Sequence, residues 1–253
     1  MLGRGAIRIG ATCAIAGSVF LLLGTYLHPQ GADPNETVAA FTEYAADRLW
    51  VASHLTQLAG VALMLAALVC LAQQLESASG TGWARLAAGG AIASLAVTAA
   101  LQAVDGIALK AMVDAWAAAP AAQKEAAFYA AFAVRQVEIG LASVLSLLLG
   151  LTVTVYGVAL LVDPTYPKWL GGCAIGGGVP AAAAGVVMAH SGFSRLAMAI
   201  NMSAGSLLLV WMLTLGVFMW RRGRGAPGQT AVWQPVGDRP SLRSRGPTAV
   251  FDA

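Results

Sequence analysis

Six stretches of the chain each run for 19 residues or more without a charged side chain. A helix needs about 20 residues to cross the roughly 30 Å hydrocarbon core of a bilayer. Because lipid offers no partner to backbone N–H and C=O groups, each crossing must satisfy its own hydrogen bonds as a helix. The sequence therefore predicts an all-α membrane protein with six transmembrane helices. The stretches are Ile9–Leu27, Leu49–Leu71, Leu86–Val104, Ile139–Val162, Trp169–Phe193 and Leu196–Trp220.

The composition leaves little room for a soluble domain. Charged residues make up 11% of the 253 residues, against about 25% in soluble proteins. We expect a single membrane domain over residues 1–220, with its six helices arranged as three hairpins. Residues 221–253 are rich in Arg, Pro and Gly and have no apolar period. That composition predicts a disordered, basic tail.

Lysine and arginine lie mostly on one side of the predicted spans. Ten of the 15 basic residues fall on the side of the two termini, and four or five fall on the other. Because loops rich in Lys and Arg stay in the cytoplasm, both termini are expected there. The ten residues are Arg4, Arg8, Arg85, Lys168, Arg221, Arg222, Arg224, Arg239, Arg243 and Arg245.

Small residues indicate where helices approach closely. Gly10, Gly17 and Gly24 recur every seven residues in the first span, which places them on one face. Gly172 and Gly176 form a small-xxx-small pair in the fifth span. Both patterns predict close helix packing.

Every predicted span carries a polar side chain toward its outer end, while the inner two-thirds carry almost none. A charge near the centre of a bilayer costs ~2.5 kcal/mol or more, so these groups must pair or face water. We interpret the layer as a polar vestibule near the outer face. Its members are His28, His54, Gln57, Gln102, Asp105, Arg135, Gln136, Glu138, His190 and Asn201.

The third and fourth spans extend beyond the bilayer and turn at Pro120. Asp105 lies 15 residues before Pro120 and Arg135 lies 15 after it. Because such positions share a height in an antiparallel pair, the spacing predicts an Asp105–Arg135 ion pair. Gln102 and Glu138 lie beside that pair at i, i+3 spacing, and the second span contributes two more side chains. The predicted ligand-binding residues are therefore His54, Gln57, Gln102, Asp105, Arg135 and Glu138.

Three functions fit such a polar layer. The first is binding, and with it movement or sensing, of a small or amphiphilic molecule. The second is an intramembrane enzyme acting on a lipid or isoprenoid, with Asp105 or Glu138 as an acid. Arg135 opposes that role because it favours ionised carboxylates. The third is a structural or partner-binding protein in which the layer is a polar clamp.

No sequence motif indicates a cofactor or a metal. The chain has no HExxH, Walker loop, GxSxG or paired CxxC motif, and we predict neither a cofactor nor a metal ion. Two alternatives have suitable side chains but no supporting spacing: a bis-histidine haem on His54 and His190, and a metal on His54, Asp105 and Glu138. The expected partners are membrane lipids and a small amphiphilic ligand, and nothing indicates nucleic-acid binding.

Four segments are familiar as a set. They are His28-Pro29, YAADRLWVASHLTQLAG at Tyr44–Gly60, LQAVDGIALKAMVDAW at Leu101–Trp116, and YPKWLGG at Tyr166–Gly172. The chain resembles, over most of residues 5–220, an uncharacterised family of bacterial six-span integral membrane proteins, a domain of unknown function. The resemblance implies the same topology and a multi-pass protein of a bacterial cytoplasmic membrane. It implies no activity and no catalytic residue.

Overall fold

The computed structural model describes residues 4–224, and these residues are helical almost throughout. The all-α prediction is confirmed. The part of the predicted tail from residue 225 onward lies outside the described residues, whereas Arg221, Arg222 and Arg224 extend the last helix. The helices are α1 (Arg4–Leu27), α2 (Thr37–Ala46), α3 (Trp50–Ala72), α4 (Ala78–Ala118), α5 (Lys124–Val162), α6 (Lys168–Ser191) and α7 (Arg195–Arg224).

Every helix except the short α2 is long and apolar enough to cross a membrane. The chain is thus a multi-pass membrane protein by the length and hydropathy of its helices. Helix α4 begins at Ala78, before the predicted Leu86, because the Ser77 side chain caps it by accepting the Gly80 N–H. The turn at Pro120 is confirmed, and a single 3₁₀ turn, Ala121–Gln123, leads into α5.

The six long helices pack in chain order. Helix α1 contacts α3, each later helix contacts the next, and α7 returns to α1. The three predicted hairpin pairs are therefore in contact, and so are α5 and α6, which belong to different hairpins. Side chains fill the interior, where the Tyr156 hydroxyl of α5 donates to the Leu68 carbonyl of α3 at 2.8 Å.

The glycine stripe of α1 lies where the sequence predicts it. A Cβ on Gly17 would lie 2.7 Å from the Gly60 carbonyl oxygen, and one on Gly24 would lie 2.8 Å from that of Ser53. The backbones of α1 and α3 therefore approach too closely for any larger residue.

The predicted small-residue pair of α6 is wrong. A Cβ on Gly172 would meet nothing within 4 Å, and one on Gly176 would meet only Leu207 at 4.0 Å. Helix α6 instead contacts α5 through Gly171, Gly178 and Gly185, which also recur every seven residues. Because 12 of the 24 residues of α6 are glycine or alanine, several stripes were available, and only packing selected one.

Helix α2 lies across one end of the bundle, where α1 ends and α7 begins; we call this the vestibule end. Phe41 and Tyr44 of α2 pack with Trp50 and Trp116 in a small aromatic core. The Lys110 ammonium of α4 donates to the Tyr44 and Ala45 carbonyls, at 3.0 Å each, and so caps the C-terminus of α2.

At the opposite end, a carboxylate joins two turns of the bundle. Asp163, in the α5–α6 turn, accepts the Ser77 and Glu76 backbone N–H groups of the α3–α4 turn at 2.7 and 3.0 Å. It also accepts the Thr165 N–H at 2.9 Å. Burial raises the pKa of Asp163, but the hydrogen bonds from Thr165 and Ser77 outweigh it and lower this pKa to about 2.

This lowered pKa predicts an acid-sensitive contribution to stability. A carboxyl group whose pKa is lower in the folded than in the unfolded state stabilises the fold above its unfolded value, near 3.8. The contribution, about 2 kcal/mol, is lost as the pH falls from about 4 to about 2. We expect Asp163→Asn to lose it at neutral pH and to flatten this part of the acid dependence of unfolding, measured in detergent. Glu76→Gln is the control, because it keeps the backbone N–H that donates to Asp163. It should lower the free energy of unfolding by less than about 1 kcal/mol.

Candidate functional site

A cavity of about 370 Å³ opens at the vestibule end, and we call it the vestibule. Its walls come from α1, α2, α3, α4, α5 and α7, together with the α1–α2 and α6–α7 loops. The lining residues are Thr25, His28, Pro29, Gln30, Ala32, Pro34, Tyr44, Trp50, Gln57, Asp105, Arg135, Glu138, Phe193, Met198 and Met202.

All six predicted ligand-binding residues gather at this cavity. Four of them line it: Gln57, Asp105, Arg135 and Glu138. The other two, Gln102 and His54, lie behind the cavity wall and contact residues that line it. Gln102 donates its amide N–H to Gln57 Oε1 at 3.4 Å, and His54 contacts Asp105.

The predicted Asp105–Arg135 ion pair is wrong, although both side chains reach the same cavity. Asp105 Oδ2 lies 3.1 Å from His54 Nε2. Arg135 pairs instead with Glu138 of its own helix, Nη1 donating to both carboxylate oxygens at 2.9 and 3.0 Å. Each charged group thus has a partner other than the one predicted from the hairpin spacing.

A change of helix type explains the error. Residues Ala103–Leu109 of α4 form a π-helix, in which each turn takes one residue more than in an α-helix. Side chains after position 102 therefore point in other directions around the helix axis than they would in a continuous α-helix. The Trp50 indole N–H donates to the Asp105 carbonyl in this segment at 3.0 Å. Gly106 lets His54 approach, since a Cβ there would lie 2.5 Å from the His54 Cβ.

Hydrogen bonding fixes the protons of the His54 ring. Nδ1 lies 2.7 Å from the Trp50 carbonyl oxygen, which only accepts, so Nδ1 carries a proton. The other nitrogen, Nε2, faces an Asp105 oxygen at 3.1 Å, and two lone pairs would repel at that distance. A proton on either atom removes that repulsion, so the pair carries one proton and its net charge is zero, although within the described residues Nε2 makes no hydrogen bond of normal geometry.

The second charged pair is almost closed to solvent. Arg135 is 5% exposed and Glu138 is 3% exposed. The Arg135 guanidinium lies over the Tyr44 ring at 5.5 Å and over the Phe193 ring at 4.9 Å, both favourable cation–π contacts. Arg135 thereby joins α5 to α2 and to the α6–α7 loop, and its charge is compensated.

The α1–α2 loop crosses the mouth of the vestibule. Glu43 of α2 accepts the backbone N–H groups of Gly31 and Ala32, both at 2.8 Å. Asn35 donates its amide N–H to the Phe193 carbonyl at 2.8 Å, which ties this loop to the α6–α7 loop. The loop is thus bonded on both sides of the cavity.

His28, where α1 ends, completes the histidine cluster. Its Nδ1 donates to the Pro29 carbonyl at 2.8 Å, which leaves Nε2 as an acceptor. Burial lowers the pKa of His28, and neighbouring His54 lowers it further. The two imidazole rings lie 5.0 Å apart, and Trp50 lies 4.9 Å from His28.

The vestibule also reaches the outer surface of the bundle. Met198 and Met202 of α7 line it, yet Met202 is 53% exposed. Thr25 of α1 lines the same region. The cavity therefore extends from the charged pairs to partly exposed side chains of α1 and α7 at the vestibule end.

Sequence reasoning included three residues in the polar layer that the structure places elsewhere. Gln136 and His190 are exposed, and Asn201 accepts a hydrogen bond from Ser146 at 3.1 Å. His190 therefore does not face His54 as a haem would require. Within residues 4–224, no group of three or more His, Cys, Asp or Glu side chains could hold a metal ion.

The aromatic wall was not predicted. Tyr44, Trp50 and Phe193 line the vestibule, and each lies at or beyond the end of a predicted span. Aromatic residues at span ends are also typical of the membrane interface. Only their contacts distinguish the two roles.

Comparison of the chain with protein-family models, with curated proteins and with solved structures found no match in any of the three. The resemblance to a bacterial six-span family therefore stays a prediction.

Proposed function

We propose that this protein binds a small amphiphilic molecule in the vestibule. One observation carries the proposal: the cavity joins a buried polar atom without a partner to an apolar opening at the bundle surface. Asp105 lines the cavity, and its Oδ1 is buried and has no hydrogen-bond partner within the described residues. Such an atom is costly unless something fills the site. A polar head with an apolar tail fits both parts.

The proposed setting is a bacterial cytoplasmic membrane, with both termini in the cytoplasm and the vestibule toward the outer side. The basic residues support this orientation. Arg8, Arg85, Lys168 and the three arginines at the end of α7 lie at the end opposite the vestibule. Positive charge on that side favours its retention in the cytoplasm.

A second candidate function is acid–base chemistry on a lipid or isoprenoid, and the proton held by His54 and Asp105 favours it. Because Trp50 occupies Nδ1 of His54, the free end of this pair is Asp105 Oδ1. Asp105 would then touch the substrate, and His54 would position it. The two functions differ in whether a bound molecule is released chemically changed.

A purely structural clamp explains only part of the site. The closed Arg135–Glu138 pair serves such a role, because it fixes α5 against α2. The cavity beside it and the unpartnered Asp105 oxygen have no place in a clamp. The same residues therefore support binding better than a structural role.

Native mass spectrometry of the protein in a mild detergent tests the proposed binding. We expect a small molecule to remain bound to the wild-type protein. Met198→Trp fills the cavity and should reduce its occupancy about tenfold or more. Leu196→Trp also introduces a tryptophan, but at an exposed position outside the vestibule lining, so its occupancy should equal that of the wild type. Equal occupancy in the two variants, or no bound molecule in the wild type, would contradict the proposal.

A further inference from the structure

We infer that the molecule in the vestibule has a protonated amine as its head, and that this head binds Asp105 in exchange for the proton shared with His54. The inference rests on the proposed function and adds the chemical class of the ligand. The apolar tail lies along Met198 and Met202 of α7.

Two hydrogen-bond acceptors belong to residues that line the cavity. Asp105 Oδ1 only accepts hydrogen bonds and is buried without a donor. His28 presents a second acceptor, Nε2, because its Nδ1 is bound to the Pro29 carbonyl. Acceptors without donors favour a head that donates. An ammonium group offers several donors and no acceptor.

The two charged pairs at the site are both neutral overall. The His54–Asp105 pair holds one proton and is neutral, and the Arg135–Glu138 pair is neutral as well. An added cation would leave an uncompensated charge in a site closed to most solvent, which is strongly unfavourable. Loss of the shared proton restores neutrality. One proton therefore leaves to solvent for each amine that binds.

Trp50 holds Asp105 in place at the cavity wall, because its indole N–H donates to the Asp105 carbonyl at 3.0 Å. The Trp50 ring is 1% exposed and already lies against Tyr44, His28 and His54, with ring centroids 4.3, 4.9 and 4.5 Å away. The cation therefore contacts the Asp105 carboxylate, and Trp50 positions that carboxylate.

Other groups near the His54–Asp105 pair also respond to pH or carry charge. His28 faces the pair from the end of α1, while Arg135 and Glu138 face it from α5. Tyr44 lies on α2. Asp47 comes directly after α2, and its carboxylate accepts the Leu49 N–H. Lys110 of α4 is bound to Asp114 and to the end of α2. Helix α7 contributes only methionines to the lining. His28 is therefore the group whose titration must be separated from that of His54.

Three probes with the same tail test the head group: octylamine, octan-1-ol and octanoate. Their binding to the purified protein in maltoside micelles is measured by titration calorimetry from about pH 5 to about pH 8. We expect octylamine to bind at least about tenfold more tightly than the other two. The Kd of octylamine should fall by up to about tenfold for each unit by which the pH rises. Buffers of different ionisation enthalpy should report release of about one proton for each amine bound.

Variants separate the proposed contacts. Asp105→Asn should remove the preference for the amine, while Glu125→Gln, an exposed carboxyl at the same end, should keep it. His54→Gln should still bind octylamine, but with a Kd that no longer changes with pH. His28→Gln should retain the pH dependence. If Asp105→Asn does not fold, the contrast between His54→Gln and His28→Gln carries the test.

Two results would overturn the inference. One is octanol or octanoate binding as tightly as octylamine, and the other is amine binding without proton release. In both cases, loss of all probe binding in Met198→Trp would show that the probes bind in the vestibule. The proposed binding of amphiphiles would then stand, and only the amine head would be wrong. Probe binding that Met198→Trp leaves unchanged would overturn the inference and contradict the proposed function as well.

Discussion

Replacing Glu138 with Gln should destabilise the protein by roughly 3 to 5 kcal/mol, because it leaves the buried guanidinium of Arg135 without a counter-ion. Both Glu138 oxygens accept from Arg135 Nη1, and both side chains are less than 10% exposed. Gln has the same shape as Glu, so the change removes the charge and little packing. The free energy of unfolding is measured by SDS titration in mixed micelles.

Two further variants isolate the charge effect. Adding Arg135→Met to Glu138→Gln removes the unpaired cation and should recover most of the loss. Asp114→Asn breaks the Lys110–Asp114 pair at the same end of the bundle, where the Asp114 side chain is 49% exposed. An exposed pair contributes about 0 to 1 kcal/mol, so this variant should differ little from the wild type. Equal losses in Glu138→Gln and Asp114→Asn would show that Arg135 does not depend on Glu138.

Gly178→Ala should force α5 and α6 apart and destabilise the protein by roughly 1 to 3 kcal/mol or more. The added Cβ would lie 2.7 Å from the Gly150 carbonyl oxygen and 2.8 Å from the Thr154 amide nitrogen. Both atoms belong to the backbone of α5, so no side-chain rotation relieves the clash. The same SDS titration measures the effect.

Gly172→Ala is the matched control on the same helix. Its Cβ would meet nothing within 4 Å, and alanine favours a helix by about 1 kcal/mol over glycine. We therefore expect Gly172→Ala to be neutral or stabilising. If the two variants lose equal stability, the close contact of α5 with α6 does not run through Gly178.

The polar layer shows how far depth alone defines a site. Side chains at similar height in different spans were grouped from spacing, and His54, Gln57, Asp105 and Glu138 do meet at one cavity. Height follows from counting residues along a helix, because each residue adds about 1.5 Å. Partners do not follow, since the direction of a side chain also depends on helix rotation. The π-helix at Ala103–Leu109 changes that rotation for Asp105.

The glycines of α1 and α6 show a similar limit of sequence patterns. In α1 the residues Gly10, Gly17 and Gly24 formed a single clear stripe, and another helix does approach it closely as predicted; the structure shows that this helix is α3. In α6 many small residues offered several stripes, and the predicted pair at Gly172 and Gly176 faces away from α5. A pattern identifies a packing face only when the rest of the helix is too large to compete.

The sequence by itself determined that six helices are long and apolar enough to cross a membrane, where the chain turns, and at which height the polar side chains lie. These properties follow from hydropathy and rise per residue, which are local. Only the tertiary structure decided that His54 pairs with Asp105, that Glu138 pairs with Arg135, and that Tyr44, Trp50 and Phe193 form the wall of the vestibule. Those contacts join residues far apart in the chain, and they depend on how each helix is rotated and where the loops cross.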